Sequence, residues 1–466
     1  MDDPTLTSVA WSIDGTTFAF RSPLGSGVRL GGYVVVDAPP EPLLGQVLSQ
    51  TSATQAGRRL ITGSGRLLDA PADQLAFDEV PVTLAPDALI AQRLGRRGAT
   101  LELGTLAGAA TVPARLVAKG FNRHTFLCGQ SGSGKTYSLG RLLEELVLRT
   151  RLPLLVLDPN GDHVHLGRTR DGVAAAAAAA YAEAARDVRV LGAHPRDDVA
   201  PLRIQLRELG PEGLASLLQL DPITDRREFN ALLHALRGAP AEGFASVEAA
   251  LEAFRASGDE VLELIRMRVE NLAVDRMVAW ATRSARSVGE IWTQDRPRAL
   301  IADTSGFEER RERIAVTVAV LEQLWAERTR RQPLLLVVDE AHDVCPADPA
   351  DPLQRLAVDR FTRIAGEGRK YGIHLLLASQ RPDKLPENVL SQCDNLLLMR
   401  VNSAGDRAAL AARFGFVPPE LVELAGSFGL GESLLAGAVS PDPQLAHTGA
   451  RLTPEGGADI STDWAS

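Results

Sequence analysis

The sequence predicts a mixed α/β protein: a sheet-and-helix core, interrupted by a helical insertion and preceded by a small β-barrel. Three observations predict it. A glycine-rich stretch, Gly129-Gln130-Ser131-Gly132-Ser133-Gly134-Lys135-Thr136, sits between a short apolar run and a helical pattern. Buried-strand patterns recur at Pro153 to Asp158, Arg298 to Asp303 and Leu334 to Val338. Up to about residue 117 the chain reads differently, as short apolar or alternating runs broken by turns.

Composition sets the outer limits. With 466 residues the chain is long enough for about three domains. Its 45% apolar and 23% charged content is that of an ordinary globular protein. No apolar run reaches the length of a membrane helix, and Met1-Asp2-Asp3-Pro4 lacks the basic and apolar regions of a leader, so the expected location is cytoplasmic. Cys128, Cys345 and Cys393 are too scattered for disulfides or structural zinc. His163 and His165 have no further ligand set nearby and read as surface or loop histidines. A net charge of −9 excludes a generally basic nucleic-acid coat and leaves room for local arginine clusters.

Taken in order, the first 118 residues carry strand patterns at Phe18 to Phe20, Tyr33 to Val36, Gly45 to Leu48, Gly65 to Leu68, Leu101 to Gly104 and Ala114 to Val117. Asp14-Gly15, Gly31-Gly32 and Pro39-Pro40 separate them, which suits a small barrel without catalytic residues, an assembly or docking module.

The core opens in residues 119–204. Thr125 to Cys128 is a strand, and the glycine-rich stretch fits the phosphate-loop pattern G-x-x-x-x-G-K-[ST]. Its glycines let backbone N–H groups and the following helix N-terminus face phosphate oxygens. Gly129 to Thr136 and the adjoining Tyr137 are therefore candidate nucleotide-binding residues, with Lys135 on the β- and γ-phosphates and Thr136 on Mg2+. The lysine is conspicuous because only four of the chain's 50 basic residues are lysine. Asp158-Pro159-Asn160-Gly161-Asp162 follows a strand at its carboxyl end, where such sheets place ligands, so Asp158 and Asp162 are either nucleotide-edge groups or turn formers.

Residues 205–293 read as helices only, at Pro211 to Leu220, Arg226 to Leu236, Ser246 to Ala256 and Glu260 to Arg283, and form the predicted insertion. The core resumes over 294–440. Leu334 to Val338 runs into Asp339-Glu340, which places Asp339 on the metal and Glu340 as the base that polarises the attacking water. Strand Ile373 to Ser379 ends at Gln380, a candidate γ-phosphate sensor. Strand Glu432 to Ala438 is predicted as the last, followed by a tail over 441–466.

These motifs, with Gly366-Glu367-Gly368-Arg369-Lys370-Tyr371-Gly372, Ser379-Gln380-Arg381-Pro382, Leu390-Ser391-Gln392-Cys393 and Gly431-Glu432-Ser433-Leu434-Leu435, resemble the HerA branch of the HerA/FtsK ATPases. Asn160 and Asp162 depart from that pattern, where His and Glu are more usual. The resemblance implies a RecA-like P-loop ATPase core with a barrel of that family's small type. It also implies a homohexamer using ATP and Mg2+ to drive double-stranded DNA through its pore, coupled to a NurA-like nuclease or a defence effector, with no membrane. Arg369 is then the candidate arginine finger acting on a neighbour's γ-phosphate, assisted by Arg123.

Asp339-Glu340-Ala341-His342 also spells a two-domain helicase box, but too little chain follows for a second α/β domain. A membrane-bound conjugation ATPase lacks its membrane segment here. The alternative of a different class is a ring scaffold that organises an effector with little DNA pumping. Arg168 and Arg170 are candidate pore contacts to backbone phosphates, or solvated loop charges.

Overall fold

The computed structural model describes residues 7–55, 58–196, 198–239, 244, 246–281 and 285–456. The N-terminal tetrapeptide, the end of the helix expected to reach Arg283 and the tail beyond 456 lie outside them. In chain order the barrel strands are β1 (Val9–Ser12), β2 (Thr17–Pro23), β3 (Tyr33–Val36), β4 (Leu43–Gln55), β5 (Arg58–Leu67) and β6 (Phe77–Leu84). After them come α1 (Asp87–Arg96), β7 (Ala99–Leu106), β8 (Ala109–Val117), β9 (His124–Cys128), α2 (Lys135–Arg149) and β10 (Leu154–Asp158). Next are α3 (Ala175–Ala185), β11 (Val188–Gly192) and β12 (Val199–Pro201), then five helices: α4 (Leu206–Leu217), α5 (Arg226–Gly238), α6 (Val247–Ser257), α7 (Glu260–Asn271) and α8 (Val288–Asp295). The chain continues through β13 (Ala299–Asp303), α9 (Arg310–Ala326), β14 (Leu334–Val338), α10 (Pro352–Glu367), β15 (Ile373–Ser379), α11 (Glu387–Leu390) and β16 (Cys393–Leu398). It closes with α12 (Ala404–Arg413), α13 (Pro419–Glu423), β17 (Glu432–Gly437) and β18 (Gln444–Thr448).

Two compact units result. The first gathers Met1–Gly120, Cys128–Ser138 and Asn395–Ala450. Within it β1-β2-β5-β4-β3-β6 close on themselves, around Phe18, Phe20, Val34, Val36, Val47 and Val82. The strands expected at Leu101 to Gly104 and Ala114 to Val117 exist but are not barrel staves. β7 pairs with β8 and, antiparallel, with β18, Ala446 opposite Leu106. β18 also corrects the expectation that β17 is the last strand. A buried charge pair ties the same unit: Arg93 on α1 donates from Nε and Nη2 to Asp442, at 2.7 and 2.8 Å, and also reaches Asp69.

The second unit comprises Phe121–Leu127, Leu139–Asp394 and Arg451–Ser466. Its sheet runs β12-β11-β13-β10-β14-β15-β9. β10, β13, β14 and β15 are buried at every residue, which is why they read as unbroken apolar runs. The pairing from β12 to β15 is parallel. Arg298, just before β13, donates to the carbonyls of Leu146, Val147, Thr150 and Leu152, gathering the acceptors at the end of α2.

Between β12 and β13 the described regular structure is helical. α4 starts earlier than expected and bends where Gly210 takes φ 65°, so that Pro211 opens its second part. Arg360 on α10 donates to Glu322 of α9 and to Glu212 of α4, both at 2.6 Å, fastening that helical segment to the core. All three cysteines are buried, and none forms a disulfide among the described residues.

Candidate active site

The phosphate loop belongs to the first unit. Gly132 and Gly134 adopt φ of 72° and 89°, which side chains with a Cβ rarely enter. A Cβ at Gly129 would lie 2.7 Å from Ser133 Oγ and 2.8 Å from Met399 Cβ, so no larger residue fits there. Neighbouring chain fixes the loop on both sides. Gln130 N–H donates to the Arg400 carbonyl at 2.9 Å, Arg400 Nη2 donates to the Gly132 carbonyl at 2.7 Å, and Asn402 N–H donates to Gln130 Oε1 at 2.9 Å. Gly431 N–H donates to the Ser133 carbonyl at 3.0 Å. Four hydrogen bonds thus hold the loop, while Ser133 Oγ, buried in it, has no hydrogen-bond partner among the described residues. An orphan hydroxyl in a glycine-lined cradle suits a phosphate oxygen. Lys135 is buried, and Thr136 and Tyr137 are half-buried on the first turn of α2.

The carboxylates belong to the second unit. Three adjacent parallel strands end in acid: Asp303 closes β13, Asp158 closes β10 and Asp339 follows β14. All three are buried. Asp158 accepts the backbone N–H groups of Asn160, Gly161, Asp162 and His163 at 2.8–3.3 Å. It therefore builds the turn, the second of the two readings open to it. Burial pushes its carboxyl above the usual range, Asp339 and Asp303 adding to that, while His163 and the turn N–H groups pull the other way.

Asp339 Oδ1 accepts the Glu340 N–H at 2.8 Å. Glu340 is buried in the left-handed region, φ 43°, an uncommon and strained position for a residue with a side chain. Its Oε1 accepts from Gln380 Nε2 at 2.7 Å, and His342 Nδ1 stands 3.4 Å from Oε2. Gln380 reaches it because β15 pairs beside β14, Leu377 opposite Val338. His342 Nδ1 also lies 3.0 Å from Ser379 Oγ. Among the described residues no group of three or more His, Cys, Asp or Glu is arranged to hold a metal. Asp339 offers one buried carboxylate, and Mg2+ takes one or two such protein ligands beside waters and phosphate oxygens.

The two trans-acting candidates converge on one partner. Arg369 Nη1 lies 2.5 Å and Arg123 Nη1 3.8 Å from Asp394 Oδ2. Arg168 pairs with Asp198 and both are exposed, while Arg170 is exposed on the same loop.

His163 corrects the surface reading. Its side chain has no solvent exposure and its Nε2 lies 3.5 Å from Asp339 Oδ2. A one-dimensional pattern shows a turn rich in polar residues; it does not show that the turn folds back over a neighbouring strand end. His124, which with Arg123 precedes the phosphate loop in the motif, is fully buried, with Nε2–H on the Ala365 carbonyl at 3.0 Å and Nδ1 accepting from Leu375 N–H at 2.9 Å. It holds β9, which leads into the phosphate loop, against β15 and α10.

A glycine-lined phosphate loop and, after a central parallel strand, an Asp-Glu pair with a glutamine bound to the glutamate define a P-loop ATPase. Residues 101–324 match the family model for the central domain of helicase HerA, and over that stretch the chain is similar to the HerA ATPases. It is 23% identical over 422 residues to the DNA double-strand break repair helicase HerA of Pyrococcus furiosus, covering 78% of this chain and 71% of that one. It is 32% identical over 130 residues to the probable HerA of Methanocaldococcus jannaschii, a stretch covering 28% of this chain and 25% of that protein. Among solved structures, VirB4 of Thermoanaerobacter pseudethanolicus aligns with TM-score 0.52 and 17% identity over 76% of this chain and 97% of its own. The conjugative coupling protein TrwBdeltaN70 aligns with TM-score 0.51 and 13% identity over 77% and 91%. These two likenesses concern the fold. No helix among the described residues is long and apolar enough to cross a membrane.

Proposed function

We propose that this chain is an ATP-driven translocase of double-stranded DNA. The observation that carries the reading is the buried Asp339-Glu340 pair at the end of β14, with Gln380 of the adjoining strand on Glu340, in a chain whose central domain matches a helicase family. Lys135 and the loop from Gly129 to Tyr137 are assigned to the nucleotide phosphates, and Thr136 and Asp339 to Mg2+, which would neutralise phosphate charge. Glu340 takes the proton of the attacking water. Gln380 keeps that carboxylate in place and links it to the γ-phosphate side. Arg369 and Arg123 are assigned to a neighbouring subunit's site, which requires a ring; a homohexamer of the HerA type supplies one. The name of the Pyrococcus relative, a DNA double-strand break repair helicase, supports DNA as the track, while a NurA-like nuclease or a defence effector as the partner rests on the motif resemblance alone.

The test is the ATPase rate with and without linear duplex DNA, measured together with mass in solution. A hexamer whose rate rises with DNA is the expected result. A hexamer indifferent to DNA replaces the motor with an effector-organising scaffold, and a monomer without turnover removes the self-assembled ring.

A further inference from the structure

We propose that Asp394 is a positioning residue for Arg369 and Arg123, gathering the two guanidinium groups into one anion-seeking pair that the chain presents to a neighbouring subunit. The inference rests on the reading of Arg369 as the arginine finger.

Both arginines grow from backbone that is already fixed. Arg369 lies on the 3-10 turn Gly368–Tyr371 between α10 and β15. Tyr371 packs edge-on against Trp325 of α9, ring centroids 5.7 Å apart, and the Arg328 guanidinium stands 4.6 Å from the Trp325 ring and 5.7 Å from that of Tyr371. Two rings sharing one cation pin the turn to α9. Arg123 precedes β9, and its neighbour His124 is fastened through both ring nitrogens, to Ala365 and Leu375. What the backbone leaves open is the direction of two long, flexible side chains.

Asp394, the second residue of β16, supplies that direction. Its Oδ2 lies 2.5 Å from Arg369 Nη1 and 3.8 Å from Arg123 Nη1. Two like charges drawn to one spot repel, and a carboxylate between them offsets the repulsion while leaving the group net positive. A guanidinium carries five donors, so the one that Arg369 spends on Asp394 leaves others to grip a phosphate at the same time.

The place of this pair on the sheet decides whose phosphate it can reach. β14 and β15 run parallel, and Glu340 and Gln380, bound to each other, follow their carboxyl ends. Arg369 precedes the amino end of β15, so the seven residues of that strand, about 20 Å, separate it from the chain's own Gln380. No arginine side chain spans that distance, and the pair is left to serve another copy. The side chains of Arg369, Arg123 and Asp394 are 32%, 48% and 49% exposed. Ion pairs this open contribute little to stability, so the effect of Asp394 belongs to turnover and not to folding.

The test is steady-state ATPase of the full chain, with duplex DNA and Mg2+ present, for wild type, Arg369→Ala, Asp394→Asn and the double variant. Asparagine keeps the shape of Asp394 and removes its charge. The expected result is that Asp394→Asn lowers kcat roughly tenfold and leaves KM for ATP within about twofold of wild type, because a finger acts on the transition state. Added to Arg369→Ala, the same change should cost less than about threefold more, since most of what it directs is gone. Asp394→Glu restores the carboxylate and should recover most of the lost kcat. The denaturant midpoint of Asp394→Asn should equal that of wild type.

An Asp394→Asn chain as active as wild type overturns the proposal, and so does a more active one, in which the carboxylate had been withholding the arginines. A tenfold loss repeated in full on top of Arg369→Ala also overturns it, because Asp394 then acts through something else. A midpoint that falls together with activity makes the residue structural, which counts against the proposal as well. A wild type without turnover, or an Arg369→Ala chain with wild-type turnover, removes the finger reading and the proposal with it; that failure shows in chains that keep Asp394, which separates it from the others.

Discussion

Glu340 is where local strain and chemistry meet. The left-handed backbone turns its carboxylate back toward β15, where Gln380 holds it. Glu340→Gln is therefore expected to bind ATP with wild-type affinity and to lower turnover by a hundredfold or more, read from single-turnover and binding measurements on one preparation. Lys135→Ala should instead weaken nucleotide binding itself. Arg369→Ala should spare binding, and rings mixed from Arg369→Ala and Lys135→Ala chains should regain activity if the arginine works in trans; no recovery in demonstrably mixed rings counts against that. These residues were readable because each stands in a short motif. His163 and the shared partner Asp394 were not, since they matter through neighbours on other elements.

His124 carries a prediction about acid. Burial, with the charge of Arg369 adding to it, lowers its pKa to about 4 from an ordinary 6.5. The unfolded chain then binds more protons between those values, so its contribution to stability is whole above about pH 6.5 and falls away as pH drops toward 4. The loss amounts to up to about 3 kcal/mol. Asp158, with its carboxyl pushed upward, works in the opposite direction, so the comparison needs a variant: the fall in denaturant midpoint from pH 7.5 to 5 should shrink in His124→Gln.

At the scale of elements, the buried strands were the most legible parts. Leu334 to Val338 and Ile373 to Ser379 match β14 and β15 residue for residue, because strands covered on both faces need continuous apolar runs. Helix ends were less so. The stretch expected to be helical from Glu260 to Arg283 stops as α7 at Asn271, followed by a 3-10 turn at Val274–Arg276. α1 and β6 went unseen among half-exposed alternating residues. α8 shows what a strong start signal does: Ser287 accepts from Glu290 N–H while Glu290 accepts from Ser287 N–H. Ser287 also donates to buried Glu208, so Ser287→Ala is expected to destabilise the chain by about 1–3 kcal/mol, measured by denaturant unfolding.

At the scale of the whole molecule, what the sequence hid was pairing across long separations. Nothing local marks β7 as the partner of β18, some 340 residues later. The Arg93–Asp442 pair spans a similar separation and helps hold the first unit together. Removing one member of a buried charge pair strands the other, so Arg93→Ala should cost about 3–5 kcal/mol and appear as a lowered midpoint for unfolding of that unit.

The three buried cysteines have a practical consequence. Burial raises the Cys345 thiol pKa and pushes that of Cys393 up to about 12, so neither offers much thiolate at neutral pH. The folded wild-type chain should react slowly with a thiol reagent, and a cysteine placed on the surface should be its one fast handle. Arg168→Cys puts that handle on an exposed loop, where labelling that slows when duplex DNA is added would mark the loop as lying along the track.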